Sequence, residues 1–383
     1  MPPRYAGWAC RAVLVRRGRA GRTLSGVSDT AVQQGTPPTP PRRGLTRRTW
    51  TLVVSLTLVL VLGVLGGFAR VPYVALGPGP TYDTLGQADG TDVVEVEGQE
   101  TFPTGGRLTM TTVSLTDDVS LFGALGLWLS GRYALAPREE FFRPGESEEQ
   151  VRDQNTKAFE DSQTSAEVAA LRHLGYPVKV VAAEITKGSA ADNVIQPNDR
   201  LLEINGKPVT TADEVRPALE TTKPGDQVEI TFQHEQDRRT ARVTLGRAEG
   251  RDSGFLGLLP VDRADVPFEI KISLNDVGGP SAGLMFALSI VDKLTPGELN
   301  GGQSVAGTGE INEKGEVGRI GGIAFKMVAA REGGATTFLV PAGNCDEARQ
   351  NAPEGLRLVR VEKLDDAVRS LESLAKGGTA PTC

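Results

Sequence analysis

The spacing of apolar residues changes several times along this chain, and each change predicts a different element. Residues 50–69 are apolar almost without interruption, and about 20 such residues suffice for a bilayer-spanning helix. Residues 71–82 follow with four prolines and glycines among Gly77, Pro78, Gly79 and Pro80 alone, a composition that predicts an irregular stalk. Apolar and polar residues then alternate over 93–96 and 108–113, which predicts strands. Residues 118–130 read as a short apolar helix, and 148–174 as a long helix closed by Gly175.

Residues 175–247 form a compact block of short strands. A strand over 178–185 leads to a Gly-Ser-Ala-Ala turn at 188–191 and a short helix. A turn, strand and tight turn cover 197–206, a helix covers 211–220, and strands over 227–232 and 240–245 pair as a hairpin. From 254 to 375 strands and helices alternate: strands near 268–273, 304–311, 336–341 and 356–361, helices near 281–294, 323–331, 345–351 and 364–374. That order predicts a multidomain α/β (α+β) protein with one N-terminal transmembrane helix.

The formal charge of −6 conceals a division. Residues 1–48 hold ten arginines and a single acidic residue, Asp29, which leaves −15 on the remainder. An acidic body of this kind excludes a basic nucleic-acid-binding surface. Arg42, Arg43, Arg47 and Arg48 precede the apolar stretch and only Arg70 follows it, so the N-terminus is expected in the cytoplasm and residues 71–383 across the membrane. A cleaved signal peptide is the competing reading. The stretch is long for one, and Phe68-Ala69-Arg70 is a poor cleavage site. Cys10, Cys345 and Cys383 fall in no metal-ligand spacing, and no metal or cofactor is expected. Cys345 and Cys383 lie on the same side of the apolar stretch and could pair, but unpaired thiols are the simpler expectation.

The candidate chemistry centres on Ser281, in the run Gly278-Gly279-Pro280-Ser281-Ala282-Gly283 just before a helical pattern. Small neighbours leave its hydroxyl open, and the unpaired N–H groups of a first helical turn could hold an oxyanion. A serine nucleophile needs a base. The two histidines, His173 and His234, fall before and inside the 175–247 block, poorly placed for a triad. Lys326 lies in the apolar segment Ile323-Ala-Phe-Lys-Met-Val-Ala-Ala330 after Gly321-Gly322, where burial would depress its pKa towards neutrality. The competing reading is a surface lysine whose stem covers apolar neighbours.

Two resemblances extend this reading. The order Gly-Ser-Ala-Ala then Asn198-Asp-Arg-Leu-Leu-Glu-Ile-Asn-Gly206 resembles a PDZ domain, with Asn198-Asp199 where that family usually has Gly-Asp. The resemblance implies capture of a peptide by strand addition near Gly175, Tyr176, Pro177 and Val178, although the usual Gly-Leu-Gly-Phe-like text is missing there. Gly279-Pro280-Ser281-Ala282-Gly283, Thr308-Gly309-Glu310 and Ile320-Gly321-Gly322 with Lys326 resemble the proteolytic domain of Lon proteases over about 120 residues. That resemblance implies Ser281 as nucleophile, Lys326 as its base, Thr308 orienting the amine and Glu310 in a supporting place, with Gly279, Pro280 and Ala282 shaping the motif. Lon itself usually has an aspartate three residues before the serine, where this chain has Gly278; Asp276 is nearby.

Nothing here matches Gly-x-x-x-x-Gly-Lys-Ser/Thr. The whole layout resembles the YlbL-like family of anchored, PDZ-containing, ATP-independent Lon-type proteases, and Leu76–Tyr82 and Phe159–Gln163 fit it as well. The division so implied is a disordered basic cytoplasmic tail (1–48), an anchor (49–70), a stalk and N-terminal extracytoplasmic segment (71–174), a PDZ-like domain (175–250), a Lon-type proteolytic domain (254–375) and a tail (376–383). The partners implied are unfolded or exposed peptides and the membrane, with no nucleotide; a homo-oligomer is allowed. Two rivals stay open: a non-catalytic scaffold that binds peptides, and an anion- or nucleotide-binding protein built on the Gly-rich helix start.

Overall fold

The computed structural model describes residues 46–143, 145–275 and 277–383. Most of the basic tail, with Cys10, and Asp276 lie outside the described residues. The described residues divide at Val59 and Leu60, and Leu60–Cys383 forms one compact unit. Helix α1 (Arg47–Phe68) runs across the division and is long and apolar enough to cross a membrane.

Beyond α1 the chain forms β1 (Tyr73–Asp83), β2 (Val94–Glu97), β3 (Arg107–Thr116), α2 (Leu121–Leu129), β4 (Ala134–Pro137) and α3 (Glu148–His173). Next come β5 (Val178–Ile185), β6 (Arg200–Ile204), α4 (Val215–Leu219), β7 (Gln227–His234), β8 (Asp237–Thr244) and β9 (Leu258–Ala264). The last part is β10 (Glu269–Ile272), α5 (Gly283–Leu294), β11 (Ser304–Gly307), α6 (Ile323–Glu332), β12 (Thr337–Pro341), α7 (Cys345–Asn351), β13 (Arg357–Val361) and α8 (Leu364–Ala375).

Eleven of these strands sort into two main sheets, and β2 and β10 pair separately. The first has the order β13-β12-β11-β3-β1-β4, and the second β8-β7-β6-β5-β9. The first sheet therefore joins strands from both ends of unit two. β3 pairs in parallel with β11, Val305 opposite Leu108, although nearly two hundred residues separate them. The second sheet, with its own core of Val180, Leu201, Ile204, Ile230 and Phe232, is set into the chain between the two halves of the first. α5 is buried along almost its whole length against the first sheet and α3.

The stretch expected to be an irregular stalk is instead an eleven-residue strand inside the first sheet. β1 is held by β3 on one edge and by β4 on the other. Its prolines are accommodated because the register with β3 slips between Pro78 and Thr81, a bulge that removes the need for ladder donors there. Gly79 permits the approach of β3: a Cβ on it would come within 2.4 Å of Thr112 Oγ1 and 2.9 Å of the Ser114 main-chain nitrogen.

A second expectation fails at the C-terminus. Cys345 and Cys383 form a disulfide, so the unpaired-thiol reading is corrected. Residues after α8 turn back along β13: Arg360 N–H donates to the Pro381 carbonyl and Val359 bridges Thr382, which brings Cys383 to the start of α7. No sequence spacing announces that return. A cross-link over 38 residues should restrict the unfolded chain by roughly 3–4 kcal/mol in the chain-entropy description. Cys383→Ser should therefore lower the denaturation midpoint clearly, and the wild type should show the same loss under reductant. Equal midpoints for oxidised and reduced protein would refute the pairing.

Candidate active site

Ser281 lies two residues ahead of α5, whose first residue is Gly283 rather than the serine itself. The approach bends sharply at Gly279, where φ is +84°, a conformation that disfavours side chains. α3 braces this approach from outside. Gly279 N–H donates to the Asn155 carbonyl at 2.9 Å, and Ser162 Oγ donates to the Pro280 carbonyl at 2.9 Å. Phe159 meets Phe286 of α5 edge-on at 5.7 Å between ring centres. Gly283 has to be small, since a Cβ there would lie 2.8 Å from both Ser162 Oγ and Ile311 Cγ2.

Lys326 projects from the first turns of α6, which begins after Gly322 in the left-handed region. The lysine is 3% exposed, so the snorkelling alternative does not describe it. Its Nζ lies 2.6 Å from Ser281 Oγ and 2.9 Å from Thr308 Oγ1. Thr308 is wholly buried just after β11. Its hydroxyl donates to the Ser281 carbonyl at 2.9 Å, and Gly309 N–H donates to the same carbonyl at 2.9 Å.

This wiring has a directional consequence. Because the Thr308 proton is spent on the Ser281 carbonyl, its oxygen accepts an N–H from Lys326. A neutral amine held so can turn its lone pair to the Ser281 hydroxyl. Burial pushes the Lys326 ammonium down to about 8, with the Glu310 carboxylate acting in the opposite direction. Glu310 is exposed on a short hairpin, Glu310–Ile311 against Val317–Gly318, at the rim of the site.

A groove of about 560 Å³ opens onto Ser281 and Lys326. Leu76, Pro80 and Tyr82 of β1 line one side, and Gly278, Gly279 and Gly321 leave room opposite. Among the described residues, the N–H groups of Ser281 and Ala282 donate to no main-chain or side-chain acceptor, which leaves them free for an anionic oxygen. The Gly279 N–H, by contrast, is committed to Asn155.

Ser281, Lys326, Thr308, Glu310, Gly279, Pro280 and Ala282 are thus brought together. Gly175, Tyr176, Pro177 and Val178 are not part of that cluster. Gly175 caps α3 with φ of +81°, Tyr176 packs edge-on against Phe268 at 5.5 Å, the Pro177 carbonyl accepts from Asp265 N–H, and Val178 opens β5 opposite Ala264 of β9. β5 is interior to the second sheet, whose outer strand on that side is β9. Both histidines face other partners: His173 Nδ1 meets Asp365 at 2.6 Å and His234 Nδ1 meets Asp199 at 2.7 Å. Gly278 stands where an aspartate would crowd α3, since even a Cβ would lie 3.0 Å from Asn155 Cβ. Asn155, Phe159 and Ser162 have structural parts in the site; Phe159 and Ser162 fall in the Phe159–Gln163 stretch noted in the sequence, though without any role, and Asn155 falls in no motif.

Comparison with known proteins assigns two domain families to parts of the chain. Residues 150–245 match the PDZ domain family, and residues 275–373 match the C-terminal proteolytic domain of Lon protease (S16). The Lon protease of Methylocella silvestris is 39% identical over 136 residues, which is 34% of this chain and 16% of that protein. That of Clostridioides difficile is 36% identical over 117 residues, 30% of this chain and 14% of that protein. The chain so spans about one-sixth of the length of these curated relatives. The PDZ domain of the SdrC-like protein from Listeria monocytogenes aligns with 22% of this chain and 87% of its own at 22% identity, with a TM-score of 0.21. The chain carries a PDZ domain and a Lon-type proteolytic domain, and the relatives support a serine peptidase.

Burying Lys326 should carry a stability penalty that can be measured. The folded pKa lies near 8 and the ordinary value is 10.5. Between those values the unfolded chain binds more protons, so stability rises with pH across that window; below it the penalty is at its full size, on the order of 3 kcal/mol. Lys326→Met should therefore raise the denaturation midpoint at pH 7, and the gain should fade towards pH 10. A midpoint at or below wild type at pH 7 would contradict the buried ammonium.

Proposed function

We propose that this chain is a membrane-anchored serine endopeptidase that uses a Ser281–Lys326 dyad and needs no nucleotide. The observation that carries the reading is the 2.6 Å approach of the buried Lys326 Nζ to Ser281 Oγ, with Thr308 Oγ1 accepting from the same amine at 2.9 Å. An amine with a pKa near 8 is a competent base near neutral pH, whereas an ordinary lysine is not.

The reaction follows from the placement of the groups. An extended peptide lies in the groove between Leu76–Tyr82 and the Gly278–Ser281 approach. Neutral Lys326 takes the Ser281 proton as the hydroxyl oxygen attacks the scissile carbonyl. The Ser281 and Ala282 N–H groups, at the positive end of α5, hold the oxyanion. The Lys326 ammonium then gives its proton to the leaving amine. Water, deprotonated by the same lysine, attacks the acyl-enzyme and frees Ser281.

Anchoring through α1 with the N-terminus in the cytoplasm accounts for the arginines before that helix. The catalytic domain would then lie outside the cytoplasm, where a Cys345–Cys383 disulfide persists. Without an unfolding motor, the substrates are exposed or unstructured extracytoplasmic segments. A PDZ domain is a peptide-holding module, but β5 is already paired on both edges, so a peptide would not add as a strand beside Val178.

Two experiments test the dyad. A fluorophosphonate probe should label the wild type and not Ser281→Ala, and the same variant should lose peptide cleavage in nucleotide-free buffer; undiminished cleavage would sink the assignment, and an unlabelled wild type would favour the scaffold reading. In the second, kcat/KM should climb about tenfold per pH unit below 8 and level off above it, because only the amine form has a lone pair. Glu310→Gln removes the one charge pulling that value upward, so the inflection should move to lower pH. A flat profile, or a Glu310→Gln shift to higher pH, would count against Lys326 as base.

A further inference from the structure

α2 reads Leu-Phe-Gly-Ala-Leu-Gly-Leu-Trp-Leu and carries no charged side chain. Its inner face is satisfied: Ala124 is buried with Ala75 and Val119, and Leu127 packs on them. The outer face is not. Leu121, Phe122, Leu125, Trp128 and Leu129 are 47–69% exposed. A cluster of large apolar side chains on the surface marks a contact with something apolar.

The occupant is indicated by what adjoins the cluster. Leu121 N–H donates to the Ala69 carbonyl at 2.9 Å, one residue past the end of α1, and Val71 N–H donates to Val119 at 3.0 Å. The Phe122 ring lies against Gly66 of α1, where a Cβ would come within 2.5 Å of it. Arg70, between the two helices, is held by the Asp118 carbonyl. The apolar surface of α1 thus continues onto α2 through a turn stapled in several places.

We infer that α2 lies in the head-group boundary of the same bilayer that α1 spans, with its leucines and Phe122 against the acyl chains and the Trp128 indole at head-group level. This rests on the reading of α1 as an anchor. Tryptophan favours that depth because its ring is apolar and its N–H is polar.

A seated α2 would fix the height of the catalytic groove. Just beyond α2, Arg132 pairs with Glu332 through two bonds, and Glu332 ends the helix that carries Lys326. β1 leaves the same place, and at about 3.3 Å per residue its Leu76–Tyr82 stretch lies roughly 10–30 Å along the strand from Tyr73. The groove would then meet peptide segments within that distance of the lipid.

The test uses the full chain in liposomes with one tryptophan retained at a time. Trp8→Phe with Trp50→Phe keeps Trp128; Trp8→Phe with Trp128→Phe keeps Trp50, which reports on α1. Lipids brominated near the head groups should reduce Trp128 emission about twofold and more than lipids brominated near the bilayer centre. Iodide in the buffer should have little effect on it. Trp128 quenched by iodide and untouched by brominated lipid, with Trp50 lipid-quenched, would overturn the placement of α2 and leave the anchor standing. If neither tryptophan is quenched by lipid, both fail. Trp128 shielded from both quenchers would also overturn it, and would point to a second copy of the chain covering α2. Peptide cleavage in the same liposomes reports on the dyad independently of each of these outcomes.

Discussion

The site depends on keeping one amine dry while leaving the hydroxyl beside it accessible. Lys326 has to be buried for its proton to leave near neutral pH, yet Ser281, 2.6 Å away, has to face a groove that admits a peptide. The structure meets both demands by bringing the two groups from opposite elements. α6 carries the lysine and shields it with its own apolar neighbours. The loop before α5 presents the serine after Gly278 and Gly279, which line the groove without side chains. Thr308 settles the remaining degree of freedom, because its hydroxyl can point its proton only one way once the Ser281 carbonyl has claimed it.

α3 extends this constraint to the second domain. Its middle holds the serine loop through Asn155 and Ser162. Its end reaches the second sheet, where Arg172 pairs with the buried Asp262 of β9 at 2.7 Å. Asp262 also accepts from Ala212 N–H at 2.7 Å, at the turn that leads into α4. One helix is therefore shared by the serine loop and the PDZ sheet, and ten residues separate Ser162 from Arg172. The PDZ block is set between strands of the proteolytic sheet, so the bounds read along the sequence do not coincide with the bounds of the fold.

What the sequence disclosed and what it concealed divide along the same physical line. Elements whose identity is local were legible: the α1 apolar run, the capped α3, the β7–β8 hairpin, and α5 and α6 with their glycine entries. Ser281 and Lys326 stood out locally, because small residues before a helix and a lysine among apolar neighbours are chemically odd wherever they fall; Thr308 came in only through the resemblance to the Lon proteolytic domain. β1 was concealed because its Gly-Pro text carries no alternation; only its partner β3, about thirty residues further on, makes it a strand. The same holds for the disulfide, which depends on the chain after α8 turning back along β13, and for Ser162, whose partner Pro280 is over a hundred residues away. Non-local pairing leaves little mark on a local pattern.

The disulfide and the buried lysine meet on one helix. Ile323 and Ala330, which neighbour Lys326 at helical spacing on α6, lie with Met327 in a cluster with Phe338, Val340 and Ala348, and Cys345 and Cys383 pack against that cluster. α6 therefore carries an unfavourable group directly beside an apolar core that the disulfide cross-links. A helix that must bury an ionisable amine gains most from a support that acts on the unfolded chain, since such a support leaves the packing around the amine unchanged. The C-terminal return thus stabilises the helix on which the base depends without touching the base.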